Sequence, residues 1–313
     1  MDIYKFPSQK DQVRIIITDS GLGGVSVQAL LDKELRKSKL YLDFEIIFFN
    51  ALADHDCGYN TMSKKSEKLS VLDNAISGML KLDPDIIFIA CNTLSVLYPF
   101  TKISSKLSIP VISIVDIGVD MVLQNTKDSD KSGIIIMGTE TTITSRIHKK
   151  SLVEKGIEAN RIITQKCKSL ESYIQLDPYS STVDNLIEKY IVEAANKMRA
   201  NFDHLFVILA CTHYGYSISI FKEKLKHKFG NSVTILNPNE QMAKHFSPET
   251  STQKSIHYSV KHKVLSKVQI SALEIAHLFP LLTHDSVAVA KSLKNYTYKP
   301  NLFHFIKKDC IKN

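Results

Sequence analysis

The chain has 313 residues, 44% of them hydrophobic and 23% charged, the balance of a globular protein long enough for two domains. Its net charge of +8, from 40 Lys plus Arg against 32 Asp plus Glu, is thinly spread, and no basic stripe interleaved with aromatics marks a nucleic-acid surface. No apolar run approaches the roughly eighteen residues of a membrane span, and the polar, charged N-terminal stretch lacks the apolar core of a secretory signal, so cytoplasmic residence is the default expectation.

Taken in order, residues 13–18 read as a first strand that runs into Asp19-Ser20-Gly21-Leu22-Gly23-Gly24 and then a helical pattern over 25–37. A glycine-rich turn between strand and helix brings backbone N–H groups close to an anion. The spacing fails the dinucleotide fingerprint, which leaves a carboxylate-binding loop as the expectation. Residues 44–49 form a second strand, followed by a turn-rich loop over 50–61 that contains Asp54, His55, Asp56, Cys57 and Gly58. The Asp-His-Asp cluster there reads as a solvated loop rather than a metal site. A helix follows over 63–81 and stops at Asp83-Pro84. The next strand, Ile86-Ile87-Phe88-Ile89, ends abruptly in Ala90-Cys91-Asn92-Thr93, and a further strand is expected over 111–115.

The pattern then restarts. A strand over 133–137 ends in Gly138-Thr139-Glu140-Thr141-Thr142, another is expected over 161–164, and a helix over 184–199. The apolar run Phe206-Val207-Ile208-Leu209 ends in Ala210-Cys211-Thr212-His213, nearly the phrase that closes on Cys91. Such short runs, apolar throughout, are strands buried on both faces, as in parallel sheets, and ligands collect beyond their carboxyl ends. The interval from Asp19 to Cys91 equals that from Thr139 to Cys211, 72 residues in each case (91 − 19; 211 − 139). A duplicated pair of α/β halves with a cleft between them accounts for both coincidences. Beyond 237 the pattern is fainter. Residues 247–254 read as a loop, and 264–282 and 287–293 as helices packed on the first half or at a subunit contact.

Five cysteines, at 57, 91, 167, 211 and 310, show no CxxC or Cys/His spacing, so neither a disulfide framework nor a zinc site is expected. A cysteine at a strand end is ordinarily core, and Cys167 and Cys310 keep that reading. Cys91 and Cys211, with their repeated surroundings, suggest two thiols facing one substrate. One thiolate would take a proton from a carbon beside a carboxylate while the other thiol protonates the opposite face, which inverts the stereocentre. An unperturbed thiol pKa of about 8.5 suits that task. Asp19 and His213 are the proton-handling partners, although Asp19 also fits a helix cap and His213 a structural histidine. Ser20, Asn92, Thr93, Thr139, Thr142 and Thr212 offer neutral donors for a carboxylate and its developing enolate. No lysine stands in a pyridoxal context, so a mechanism without cofactor and without metal is expected.

Asp19-Ser20-Gly21-x-Gly23-Gly24, Cys91-Asn92-Thr93, Gly138-Thr139-x-x-Thr142 and Cys211-Thr212-His213-Tyr214, in this order and at these strand ends, resemble the glutamate racemases and more broadly the cofactor-independent aspartate/glutamate racemase superfamily. The resemblance covers roughly residues 13–240. It implies two pseudo-symmetric α/β domains, each a mainly parallel sheet flanked by helices, with the active-site cleft between them. The chain would return to the first domain after the second: 1–116 plus 230–313, with 117–229 as the second domain. It implies that Cys91 serves the D-substrate and Cys211 the L-substrate, with Asp19 and His213 assisting. Ser20, Cys57, Gly58, Asn92, Thr93, Thr139, Thr142 and Thr212 would hold an acidic amino acid. Production of D-glutamate for the peptidoglycan cell wall, and a homodimer, are further implications. Other superfamily chemistries stay open, namely aspartate or hydantoin racemase, maleate isomerase and malonate decarboxylase, as does a two-lobed binder with impaired turnover. The chain departs from the pattern at Asn50-Ala51 and Asp56-Cys57-Gly58, where the family has Gly-Asp and Pro-Tyr-Gly, near Gln175, where it has an acid, and in a longer tail.

Overall fold

The computed structural model describes residues 12–37, 43–127, 131–244 and 259–305. In the first half, β1 (Gln12–Asp19), α1 (Val25–Lys37), β2 (Asp43–Asn50), α2 (Lys65–Leu80), β3 (Ile86–Ile89), α3 (Asn92–Leu97), β4 (Val111–Ser113) and α4 (Ile114–Thr126) alternate strand and helix. The second half holds β5 (Ser132–Gly138), α5 (Glu140–Ser145), α6 (Ile147–Glu154), β6 (Ile162–Lys166), α7 (Leu170–Leu176), α8 (Ser181–Asn196), β7 (His204–Ala210), α9 (Ile218–Phe229) and β8 (Val233–Leu236). The chain then adds α10 (Pro238–Lys244), β9 (Val260–Ser266), α11 (Ala272–Asp285), α12 (Val287–Lys294) and β10 (Thr297–Tyr298).

The strands form two sheets, ordered β10-β9-β2-β1-β3-β4 and β6-β5-β7-β8. Every pairing in both is parallel. The core order β2-β1-β3-β4 recurs as β6-β5-β7-β8, so the duplication seen in the sequence is a duplication of topology. Helices cover both faces of the first sheet. Ile15 and Ile17 of β1 pack with Val27 and Leu31 of α1, whereas Ile16 between them packs with Leu72 and Ile76 of α2. This explains why the strand carries no polar alternation; each such side chain contributes about 1.5–3 kcal/mol on full burial.

Two expectations are corrected here. The second half does not end at 229, because β8 pairs with β7 and belongs to its sheet, while the boundary set at 116/117 falls inside α4. The return to the first half comes after β8, where α10 packs on α1. Second, the start of the apolar stretch at 264–282 is not helical. Residues 260–266 form β9, which pairs along β2 and extends the first sheet. Its Lys and His residues find partners there: Lys263 Nζ donates to Glu45 Oε1 at 2.5 Å, and His262 Nε2 lies 3.0 Å from Asp32 Oδ1 on α1. The loop expected at 247–254, and Cys310, lie outside the described residues. No helix among the described residues is long and apolar enough to cross a membrane.

Candidate active site

Parallel topology places the carboxyl ends of the central strands of both sheets together, and a cavity of about 430 Å³ opens there. Cys91, the residue before α3, and Cys211, the residue before the short 3-10 helix Thr212–Ser217, both line it. Each follows a short buried strand, so each thiol stands at a strand-to-helix turn of its own half. Both residues are free cysteines, 5% and 6% exposed. Burial pushes the Cys91 thiol up to about 12, the Asp19 charge adds to this, and the Ser20 side chain partly offsets it. Ser20 Oγ lies 3.2 Å from Cys91 Sγ. Burial likewise pushes Cys211 well above the ordinary thiol value, with Glu171, Asp19 and Cys91 adding to it.

Asp19, at the end of β1, does not cap α1, which begins six residues later at Val25. Its Oδ2 instead accepts the Thr212 hydroxyl at 2.6 Å, a tie between the two halves beside both thiols. Asp19 Oδ1 and both polar side-chain atoms of Asn92 are buried and make no hydrogen bond with the described residues. Unsatisfied polar groups concentrated on one cavity are the mark of a ligand site. Thr93 meets Thr139 at 2.9 Å and Thr142 at 3.3 Å, and Thr139 donates to Thr142 at 3.0 Å, a triangle of hydroxyls across the two halves. Thr139 faces the cavity and also caps α5, accepting the Thr142 N–H.

The glycine turn works by close approach. A Cβ on Gly23 would stand 2.5 Å from Thr212 Oγ1 and 2.7 Å from His213 Nδ1, and one on Gly21 would stand 2.8 Å from Gln175 Oε1. The glycines therefore let the first half lie directly on the segment that carries Cys211. His213 Nδ1 is 3.9 Å from Cys211 Sγ, and His213 Nε2 is 2.9 Å from Gln175 Oε1. Burial lowers the His213 pKa, against the pull of Asp19 and Glu274, so the ring is held toward its neutral, proton-accepting form.

Of the residues singled out in the sequence, Asp19, Ser20, Gly58, Cys91, Asn92, Thr93, Thr139, Cys211, Thr212 and His213 line this cavity. Thr142 stands behind the wall, supporting Thr139. Cys57 is not brought to the cavity: it is 1% exposed, sits in the apolar cluster under its loop, and is disulfide-bonded. No spacing in the sequence pointed to a disulfide at Cys57. Among the described residues no group of three or more His, Cys, Asp or Glu could hold a metal ion.

Four further cavity residues had no motif to announce them. Asn60 donates to Glu171 Oε1 at 2.8 Å, while Glu171 Oε2 is buried without a partner among the described residues and the carboxyl pKa is raised, chiefly by burial. Lys168 lies a turn away on the same wall. Glu274 arrives from α11, 99 residues from Gln175, whose Nε2 donates to it at 2.6 Å. The sequence signal for Glu274 was the Ser271-x-x-Glu274 capping box, which marks a helix start and nothing more.

A family model described as Asp/Glu/Hydantoin racemase matches residues 22–245. A glutamate racemase from a Nitratiruptor species is 26% identical over 244 residues, 76% of this chain and 84% of that protein. The glutamate racemase of Campylobacter jejuni subsp. jejuni serotype O:2 is 27% identical over 239 residues, covering 74% and 87%. In structure, the chain is similar to glutamate racemase from Campylobacter jejuni subsp. jejuni, with a TM-score of 0.63 at 19% identity over 87% of this chain and 98% of that one. It is similar as well to glutamate racemase from Francisella tularensis subsp. tularensis in complex with D-glutamate, with a TM-score of 0.63 at 21% identity over 88% and 95%. Two parallel sheets of repeated order and a family match that spans most of both halves lead to one conclusion: the chain belongs to the Asp/Glu/hydantoin racemase family.

Proposed function

We propose that the protein is a cofactor-independent amino-acid racemase that interconverts L- and D-glutamate through Cys91 and Cys211. The observation that carries this reading is the pair of free thiols at equivalent strand ends of two duplicated halves, both lining one cavity. The relatives named above act in the same sense, since they are glutamate racemases.

In the forward step one thiolate takes the Cα proton and becomes a thiol, while the electron pair left behind delocalises into the substrate carboxylate. The other thiol gives its proton to the opposite face and becomes the thiolate. The stereocentre inverts, no other bond breaks, and the reverse reaction exchanges the two roles. His213 Nδ1 beside Cys211 is placed to take that thiol's proton, and Ser20 Oγ beside Cys91 is placed to donate a hydrogen bond that steadies the Cys91 thiolate. Asn92 Nδ2, unsatisfied, and the Thr93 hydroxyl are the donors for the carboxylate whose charge grows in the transition state, while Asn92 Oδ1 can accept from the substrate ammonium. Burial makes either thiolate costly in the free cleft, and the ammonium group of a bound amino acid offsets that cost, so thiolate forms with substrate in place.

The test is exchange at Cα. Incubated in heavy water with L-glutamate, the protein should replace the Cα proton with deuterium and generate D-glutamate, and the D-enantiomer should behave in mirror fashion. Folded protein that exchanges neither glutamate nor aspartate would overturn the reading, and exchange of aspartate alone would reassign the substrate.

A further inference from the structure

Glu274 belongs to the part of the chain beyond the family match, which ends at 245, yet its carboxylate reaches the cavity wall. The helix that carries it is well anchored. A reciprocal capping box with Ser271 starts α11, Leu278 and Leu282 are buried, and Lys33 on α1 pairs with Asp285 at 2.7 Å. A second tie to α7 runs from His277 Nδ1 to the Leu176 carbonyl. Glu274 Oε2 accepts from the Ser271 N–H and hydroxyl at 2.8 and 2.7 Å, which turns Oε1 toward Gln175.

Two contacts give the Gln175 amide a single orientation. Its Oε1 accepts the Leu22 N–H at 2.8 Å, and its Nε2 donates to Glu274 Oε1 at 2.6 Å. A backbone N–H can only donate and an ionised carboxylate can only accept, so the amide cannot be reversed. His213 Nε2, 2.9 Å from that same Oε1, must therefore carry the ring hydrogen, which leaves the Nδ1 lone pair toward Cys211 Sγ.

We propose that Glu274 is a positioning residue for the Cys211 half of the reaction: from α11 it locks, through Gln175, the His213 tautomer that accepts the Cys211 proton. The inference rests on the two-thiol reading above. Nδ1 takes the proton of the Cys211 thiol, the resulting thiolate takes the Cα proton, and Cys91 gives its own proton to the opposite face. On product release the imidazolium proton returns through solvent to the Cys91 thiolate. A tail helix thereby supplies, through an amide, the negative charge behind a catalytic imidazole.

A charge exchange tests this. Glu274→Gln leaves one acceptor oxygen for two duties, Gln175 and Ser271, and Gln175→Glu sets two carboxylates against one another. In the double variant every partner is restored. The new carboxylate at 175 accepts from Leu22, His213 and the amide at 274, whose oxygen keeps the Ser271 contacts. Each single variant should lose about tenfold to hundredfold in kcat for glutamate racemisation with KM little changed. The double variant should recover at least about tenfold over the weaker single variant. Nitrogen NMR of histidine-labelled protein should show His213 as the Nε2–H tautomer in wild type and the double variant, and mixed tautomers after Glu274→Gln. Ser286→Ala, which removes the cap of α12, should lower Tm without moving that tautomer signal. Full activity or an unmixed Nε2–H signal in Glu274→Gln would overturn the proposal, as would a double variant no better than the singles. If wild type exchanges no Cα proton, the racemase reading fails by itself, and the tautomer arm still decides whether Glu274 sets the His213 ring.

Discussion

At the scale of single residues, the proposed two-thiol reaction depends on how hard it is to ionise two buried thiols. For Cys91 the causes are burial first and the Asp19 carboxylate second, so Asp19 is both a tie to Thr212 and an electrostatic brake. Asp19→Asn removes a negative charge that disfavours the thiolate, so the Cys91 pKa should fall from its value of about 12. Each unit of fall raises the thiolate fraction near pH ~8 about tenfold. Alkylation of Cys91 should therefore quicken in that variant, measured by mass spectrometry in protein that also carries Cys211→Ala. Racemisation by Asp19→Asn with both thiols present should nevertheless decline, because the Thr212 hydroxyl keeps only a neutral acceptor. Slower alkylation would show that Asp19 does not act on the thiol through its charge. Only part of this was legible in the sequence. Cys91, Cys211, Asp19 and His213 announced themselves by repetition and by small polar neighbours. Cys57 was a candidate only by its place in the 50–61 loop, and its side chain is buried under that loop, which no pattern there reveals.

At the scale of elements, the turn Gly21-Leu22-Gly23-Gly24 and the strand β9 show opposite degrees of legibility. The glycines were plain, but their reason was not: they make room for Thr212, His213 and Gln175 from the other half, nearly two hundred residues away in some cases. Gly23→Ala should therefore act as a wedge between the halves. A Cβ 2.5 Å from Thr212 Oγ1 and 2.8 Å from the His213 backbone nitrogen forces a shift, costing about 1–3 kcal/mol and most of the racemase activity. Unchanged activity and unchanged unfolding midpoint would mean the turn yields freely. β9 was missed because its first half, with Lys261, His262 and Lys263, is polar, and the partners of His262 and Lys263 lie far away in the chain on α1 and β2. The buried cluster of Asp32 with His262, Ser286 and Arg36 ties β9 and α12 to α1. Burial alone would raise the Asp32 pKa, but His262, Ser286 and Arg36 outweigh it and hold it below 3.8. A carboxyl with a depressed folded pKa contributes stability above its unfolded value and loses it as pH falls through the folded value. The cluster should thus weaken below about pH 4. Asp32→Ala, which strands His262, should cost about 3 kcal/mol at neutral pH and much less in acid, read from urea unfolding at both pH values.

At the scale of the whole molecule, the two halves meet through hydrogen bonds that converge on the cavity. Thr212 reaches Asp19, Leu22 reaches Gln175, Tyr216 reaches the Leu22 carbonyl, and Asn60 reaches Glu171. Alternating strands and helices made the central strands of both halves readable, since those strands had to be apolar on two faces. How they face one another was not readable, because each half's sequence records its own core and only a few polar residues record the partner. A ligand seated between the halves adds contacts that the unfolded chain cannot make, so it must stabilise the fold by mass action. With turnover removed by Cys91→Ala and Cys211→Ala together, L-glutamate at about a hundredfold over its Kd should add about 2.7 kcal/mol, equivalent to a Tm rise of roughly 4 °C for a chain of this size. Glutamine has the same shape without the side-chain carboxylate, so its effect separates recognition of an acidic side chain from recognition of any amino acid. The expected order is L- and D-glutamate alike, then aspartate, then glutamine with little effect. Equal stabilisation by glutamine and glutamate would show that the cavity does not select an acidic side chain. It would direct attention to the Glu171 carboxyl, whose free oxygen would then be the donor or acceptor for a neutral side chain.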